Sequence, residues 1–280
     1  MSTVTGASAT VPDSDSDQTS MAADTRHVLL FGASNLVLGW QALMRQLQQR
    51  LSQPLQLHAC LGMGRSYLRS SRCLQRVLPG VLESRIWQNL PTPAAAPPLV
   101  LLTDVGNDII YRYAPPDIQQ AVGETVQRIR SWDPRADIVL TGLPLAALND
   151  LTPFRFLLAR RLLFQGSPLT LSEACEQASQ LQHLLTVLAA DQGLRLVHPD
   201  RAWYGLDPIH YRRGFRDTAF ATYFDQWAEL GAAAAAPDVA MQKPSLKPPL
   251  PVSADVLRRG HLVVTPQPVF RTSRLQVSAW

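Results

Sequence analysis

The stretch from His27 to Gly39, HVLLFGASNLVLG, restricts this chain more than any other. Val28, Leu29, Leu30 and Phe31 run without a polar break and stop at Gly32-Ala33-Ser34-Asn35. Leu36, Leu38, Trp40, Leu43 and Leu47 then recur among Gln and Arg at helical spacing, which predicts a helix over about 36–52. An unbroken apolar run suits a strand covered on both faces. A strand that turns sharply into a helix is how α/β proteins open a ligand site at the carboxyl edge of a sheet. The serine in that turn has two readings. It is either a helix cap, a position that favours Ser and Asn, or a nucleophile.

Further along, the same alternation repeats. Pro54 introduces a second strand, Leu55 to Cys60, which ends at Leu61-Gly62-Met63-Gly64-Arg65-Ser66. Residues 67–82 show a loosely helical pattern broken by Pro79-Gly80, and a Pro-rich connection covers 91–98. Leu99 to Thr103 is the next strand, followed at once by Asp104-Val105-Gly106-Asn107-Asp108. A helix is expected over 117–132, a strand over 137–142 and a less regular stretch over 145–170. A helix over 171–191, a strand over 194–197 and a last helix over about 211–230 complete the pattern. Five strands alternating with helices predict a doubly wound, three-layer α/β/α domain with a five-stranded parallel sheet. In such a sheet every strand points its carboxyl end to one edge. Ser34, Gly64, Asn107 and the loop after the fifth strand can therefore meet there.

Outside residues 26–230 the composition changes. Residues 1–25 are polar, low in complexity and expected to be disordered. From Gly231 an alanine run and a Pro-rich stretch read as a linker. The rest of 231–280, with only a weak strand near His261 to Thr265, reads as a poorly structured tail.

The composition narrows the classes of function. Hydrophobic residues make up 46% of the chain, enough for a sizeable core. The formal charge of +4 is spread without a basic stripe, which gives no support for a nucleic-acid partner. Cys60, Cys73 and Cys175 lack metal-ligand spacing and read as free thiols of a reducing compartment. No secretory signal and no apolar run of about 20 residues is visible, so a cytoplasmic protein without a membrane span is expected. No ligand cluster calls for a metal or an organic cofactor.

Serine hydrolysis needs a base, a group that orients the base, and donors for the oxyanion. The best-placed histidine is His210 in Asp207-Pro208-Ile209-His210, where a carboxylate three residues upstream can fold back onto the imidazole. His198 lacks such a partner. Four blocks now stand in order, each beyond the end of a strand or in the loop region that follows it: Phe31-Gly32-Ala33-Ser34-Asn35-Leu36, Gly64-Arg65-Ser66, Gly106-Asn107-Asp108 and Asp207-Pro208-Ile209-His210. Together they resemble the SGNH (GDSL-type) hydrolase family over about residues 26–230. The resemblance implies an SGNH-hydrolase-like, flavodoxin-like fold and a carboxylic ester hydrolase acting on small-molecule esters without a cofactor. It also implies Ser34 as nucleophile, His210 as general base and Asp207 as its orienting group. The oxyanion hole it implies consists of the backbone N–H groups of Ser34 and Gly64 and the side-chain amide of Asn107.

Two positions depart from the family pattern. Ala33 stands where the family has Asp, and Val105 stands where it has Gly. They motivate an alternative reading of the fold as a catalytically weak or inactive binding or scaffold protein. A dinucleotide site is disfavoured because Gly32 is not followed by glycines at the third and sixth positions of the turn. A conventional α/β-hydrolase is disfavoured because no Gly-x-Ser-x-Gly elbow occurs. Gly62 competes with Gly64 for the donor role, and Ser66, two positions after Gly64, favours the latter. Asp108 reads as structural. His58 and His198 read as strand-edge or loop residues, and His27 and His183 as surface ones. Arg65, Tyr111, Arg112 and Tyr113 read by default as exposed loop residues beside the site. The stretch 154–164 reads as a lid or, more simply, an amphipathic helix.

Overall fold

The computed structural model describes residues 25–73, 75–152, 169–230 and 247–280. The elements that build the sheet and its helices are β1 (Arg26–Phe31), α1 (Ser34–Leu38), α2 (Trp40–Arg50), β2 (Leu55–Cys60), β3 (Ser71–Cys73) and β4 (Arg76–Leu78). They continue with α3 (Ile86–Asn89), β5 (Leu99–Leu102), α4 (Asn107–Ile110), α5 (Pro115–Trp132), β6 (Asp137–Thr141) and α6 (Leu145–Asn149). After these come α7 (Leu171–Asp191), β7 (Arg195–Val197), α8 (Arg216–Phe224), β8 (Asp255–Arg258), β9 (His261–Val264), β10 (Phe270–Arg271) and β11 (Leu275–Ala279).

The protein is α/β and doubly wound. Its five expected strands lie in the order β2-β1-β5-β6-β7, all parallel. Numbered by their own sequence this is 2-1-3-4-5, the flavodoxin-like order, which reverses direction between β1 and β5. Ser34 follows β1 and Asn107 follows β5, so the two stand on either side of the reversal point, where doubly wound sheets open a crevice.

Both faces of the sheet are covered, which is why β1 reads as continuous apolar sequence. Val28 and Leu30 point into one core with Leu57, Leu101 and the α2 and α8 residues Trp40, Leu43, Phe220 and Phe224. Leu29 and Phe31 point into the other with Val100, Leu140 and the α5 and α7 residues Val122, Val126, Leu181 and Leu185. Full burial of each such side chain stabilises by about 1.5–3 kcal/mol.

The expected five strands are five of seven. β11 pairs in parallel with β2, Leu275 opposite Leu55 through Ala279 opposite Ala59, and β10 adds an antiparallel edge. The segment 247–280 is therefore not a poorly structured tail. The alternation Leu275-Gln276-Val277 is that of a strand, and its pairing partner lies 220 residues upstream in sequence (275 − 55), beyond the reach of a local pattern. The same distance hid a second, four-stranded sheet, β3-β4-β8-β9. In it β3 and β4 replace the helix expected over 67–82, because β4 finds β8 as its neighbour. The helix expected over 36–52 is two helices broken at Gly39, where a Cβ would lie 2.4 Å from the Phe220 ring. The last helix is shorter than expected, since Tyr211 is held in an antiparallel bridge to Tyr204. The stretches 1–24, 153–168 and 231–246, which contain most of the expected N-terminal disorder, the candidate lid and most of the linker, lie outside the described residues.

Candidate active site

The turn after β1 holds Ser34 as the first residue of α1, with 3% of its surface exposed. Its N–H, like those of other first-turn residues, has no intrahelical acceptor. Ser34 is not the helix cap. Ala33 occupies that position and has no side chain to offer, so the helix is capped from another strand. Asp104, in the loop after β5, accepts the backbone N–H of Ala33 at 2.8 Å and of Asn35 at 3.1 Å through Oδ2. Its Oδ1 accepts the Asn35 side-chain amide at 2.7 Å. Asp104 itself has φ +60°, a left-handed conformation that aspartate tolerates better than most residues. Burial raises the pKa of its carboxyl, opposed by these N–H donors and by the nearby His210.

Asn35 extends the connection. Its Nδ2 donates to the Ile209 carbonyl at 3.0 Å and its Oδ1 accepts the Tyr211 N–H at 3.0 Å. The residue next to Ser34 thus grips the chain on both sides of His210. In that loop the His210 Nδ1 lies 2.5 Å from Asp207 Oδ2, and Asp207 Oδ1 accepts the N–H of Ile209 at 2.9 Å. Burial alone would raise the Asp207 carboxyl. The bond to His210, the attraction between the two and the backbone donors outweigh it, and the pKa falls below the usual carboxylate range.

The other two blocks form a second joined unit. Gly64 has φ +69°, and a Cβ there would sit 2.8 Å from the Tyr111 hydroxyl. Tyr111 Oη donates to the Gly64 carbonyl at 2.6 Å. Asp108, fully buried, accepts the Ser66 hydroxyl on Oδ1 and the Tyr67 N–H at 2.8 Å on Oδ2. Burial pushes its pKa up to about 7 in spite of those two bonds. Tyr67 in turn donates from its hydroxyl toward the carbonyls of Phe31 at 3.1 Å and Thr103 at 3.0 Å, fastening the loop across the ends of β1 and β5. Next to Asp108, Asn107 is 4% exposed, and its Nδ2 has no hydrogen-bond partner among the described residues. A buried amide left unpaired costs roughly 1–3 kcal/mol, so such a group marks a place where an acceptor is due.

Beside Asn107 lies a cavity of about 100 Å³. Val105, Ile109, Leu143, Leu148, Ala174 and Ala178 are among the apolar residues that line it, together with Pro208 and Ile209 from the His210 segment. Neither Ser34 nor His210 lines it.

Several expectations fail at the periphery. His27 is not a surface residue and His58 is not at a strand edge. Both are buried, His27 on β1 and His58 on β2, with rings 6.0 Å apart and His27 against Trp132. Arg65 is not an exposed flank. It is 1% exposed and donates to the Trp280 carbonyl. The main omission was the pair Asp104 and Asn35, whose only sequence signal was a carboxylate directly after a buried strand. Among the described residues no group of three His, Cys, Asp or Glu gathers to hold a metal, and no helix is long and apolar enough to cross a membrane.

No protein-family model and no curated protein matches the chain. Among solved structures it is similar to a GDSL-like lipase from Parabacteroides merdae, with 12% identity over 75% of this chain and 99% of that one, at a TM-score of 0.47. It is also similar to an extracellular lipase from Streptomyces rimosus, with 12% identity over 74% and 100% of the two chains and a TM-score of 0.43. A Corynascus carbohydrate esterase of family 2 shares 14% identity over 74% of this chain and 67% of that one, at a TM-score of 0.45. At these values the likeness concerns the path of the chain alone. The chemistry rests on the residues just described.

Proposed function

We propose that the protein is a serine hydrolase that cleaves small carboxylic esters through an acyl-Ser34 intermediate. One observation carries the reading. The Asp207–His210 pair, closed at 2.5 Å, sits on a loop that the Asn35 side chain clamps beside Ser34. In this reading Asp207 holds Nδ1–H, so that Nε2 is the basic nitrogen. The Ser34 Oγ attacks the ester carbonyl carbon and its proton passes to His210 Nε2. The oxyanion that forms takes the N–H groups of Ser34 and Gly64 and the unpaired Asn107 amide. On collapse the C–O bond to the alcohol breaks and His210 returns the proton to the leaving oxygen. Water then repeats the sequence on the acyl-serine, releasing the acid. Each oxyanion donor is worth roughly 3–4 kcal/mol in sites of this kind.

The same geometry bears on substrate size. The leaving oxygen has to face His210, which does not line the cavity, whereas Asn107 does. The group entering the cavity is therefore the acyl chain. A void of about 150 Å³ holds benzene, so about 100 Å³ suits an apolar acyl chain of roughly four carbons. A fluorophosphonate probe tests the central claim. Wild type is expected to label and Ser34→Ala to stay unlabelled. An unlabelled wild type, or a label that persists in Ser34→Ala, would sink it.

A further inference from the structure

Two of the three oxyanion donors come from different segments: Gly64 from the loop after β2 and Asn107 from the start of α4. For both to reach one oxygen, their separation must be fixed to a fraction of an ångström, because hydrogen bonds weaken steeply with distance and angle. Neither residue touches the other in any hydrogen bond described above. The fastening lies one residue further along each segment or more. Asp108 follows Asn107 directly, and its carboxylate takes the Ser66 hydroxyl and the Tyr67 N–H. Ser66 Oγ also accepts the Leu68 N–H at 3.0 Å, so the hydroxyl that reaches Asp108 is itself held by its own turn. Tyr111, three residues beyond Asp108, adds the bond to the Gly64 carbonyl.

We infer that Asp108 is a positioning residue for the oxyanion hole, setting the spacing between the Gly64 N–H and the Asn107 amide through its two bonds to Ser66 and Tyr67. The ionised carboxylate suits this task best, since both its oxygens then accept and both partners donate. Burial raises its pKa to about 7, so the kinetic comparison is made above that pH. It touches neither substrate nor reacting atoms. The inference rests on the acyl-Ser34 reading and extends it to how the donor pair is held.

The test uses the full chain in three forms, wild type, Asp108→Asn and Ser66→Ala, with a p-nitrophenyl ester and a trifluoromethyl ketone of matching acyl group. Asp108→Asn turns one acceptor into a donor facing another donor, and Ser66→Ala removes one partner while leaving the carboxylate in place. Active sites are counted by fluorophosphonate titration, so that unfolded material does not enter kcat. Expected is a fall in kcat of roughly 10- to 100-fold with KM changed less than about twofold, and a ketone affinity that weakens by the same factor as kcat/KM. A purely structural residue would lower the melting temperature and the titrated fraction and leave both per-site numbers alone. That result, or failure of both variants to fold at all, overturns the inference. So does a kcat loss with unchanged ketone affinity. Absence of labelling in wild type removes the Ser34 reading and this inference with it, whereas a labelled wild type beside an unaffected Asp108→Asn removes this one only.

Discussion

The side-chain oxygen of Asn35 accepts the backbone N–H of Tyr211 at 3.0 Å, while its amide donates to Ile209 at 3.0 Å and to Asp104 at 2.7 Å. One buried amide therefore joins the turn after β1, the loop after β5 and the segment carrying His210. Its acceptor and both amide protons are used, so it has no alternative arrangement that satisfies the same partners. Asn35→Ala releases the His210 loop from Ser34. Asp104→Asn sets an amide donor, in either orientation, against groups that themselves donate: the backbone N–H groups of Ala33 and Asn35 or the Asn35 side-chain amide. A displacement near 1 Å at a reacting group costs on the order of 10²-fold. Both variants are expected to lose roughly 10- to 100-fold in kcat/KM, read with a chromogenic ester and with the rate of fluorophosphonate labelling. Folded variants that react at the wild-type rate would show that the clamp does not position the pair.

Asp104 also bears on the departure at Ala33. The SGNH pattern that the sequence resembles has an aspartate before the serine where this chain has Ala33, yet a carboxylate stands on that turn, delivered from the loop after β5 and bonded to the N–H groups on either side of Ser34. The reverse substitution is informative. Ala33→Asp adds a second negative charge beside Asp104 at a position only 1% exposed, and like charges at that range repel strongly when desolvated. The variant is expected to be less active and less stable than wild type, measured as kcat/KM and melting temperature. Ala33→Asp with raised activity would mean that Asp104 does not fill the role.

The members of the proposed triad would act as a unit, and their losses would not add. Ser34→Ala, His210→Ala and the double variant are expected to share one low residual rate, some 10⁴-fold or more below wild type, while Asp207→Asn falls by about 10⁴ through the wrong imidazole tautomer. Steady-state rates on one ester decide the matter. A double variant much slower than either single one would mean that Ser34 and His210 work in separate steps.

How much of this was legible in the chain depends on the range of the interaction. The five strands, α5 and α7 follow from periodicity because each buries a continuous stripe or run, and their order put Ser34 and Asn107 at one sheet edge. Asp207 and His210 were readable as a pair because three residues separate them. What escaped were contacts closed over long distances in sequence. β11 joins the main sheet through β2, the β3–β4 hairpin joins its sheet through β8, and Asp104 takes its meaning from the turn that holds Ala33 and Asn35. His27 and His58 were misplaced for a related reason: a polar residue in a strand is assigned to the outside unless both faces are known to be covered.

The cavity beside Asn107 predicts a chain-length limit. Ala178, 1% exposed on α7, lines it, and Ala178→Leu adds three carbons to a space that suits about four. Wild type is expected to prefer butyryl over octanoyl esters, and Ala178→Leu to shift preference toward acetyl by roughly 10-fold or more, since one methylene in an apolar pocket is worth about 1–3 kcal/mol. The comparison is a ratio of kcat/KM values, which cancels any loss common to all substrates. An unchanged ratio would mean that the acyl chain lies elsewhere.

Two buried groups with opposite shifts predict how stability responds to pH. His58 has both ring nitrogens buried without partners among the described residues, and burial, then the neighbouring His27, lowers its pKa to about 3. Unfolded, a histidine takes up its proton near 6.5, so below that pH the unfolded chain binds a proton that the folded chain refuses, and stability falls as pH falls. Asp108 works the other way. Burial raises it to about 7, whereas an unfolded aspartate releases its proton near 3.9. Between those values the folded chain keeps a proton that the unfolded chain has lost, and stability falls as pH rises. Each group alone has a slope of up to about 1.4 kcal/mol per pH unit, so between about pH 4.5 and 6 the two largely cancel. Asp108→Asn is expected to leave a stability that climbs with pH across that window, and His58→Leu one that declines. Denaturant unfolding at several pH values measures both slopes. Parallel curves for wild type and both variants would mean that neither group titrates as its burial requires.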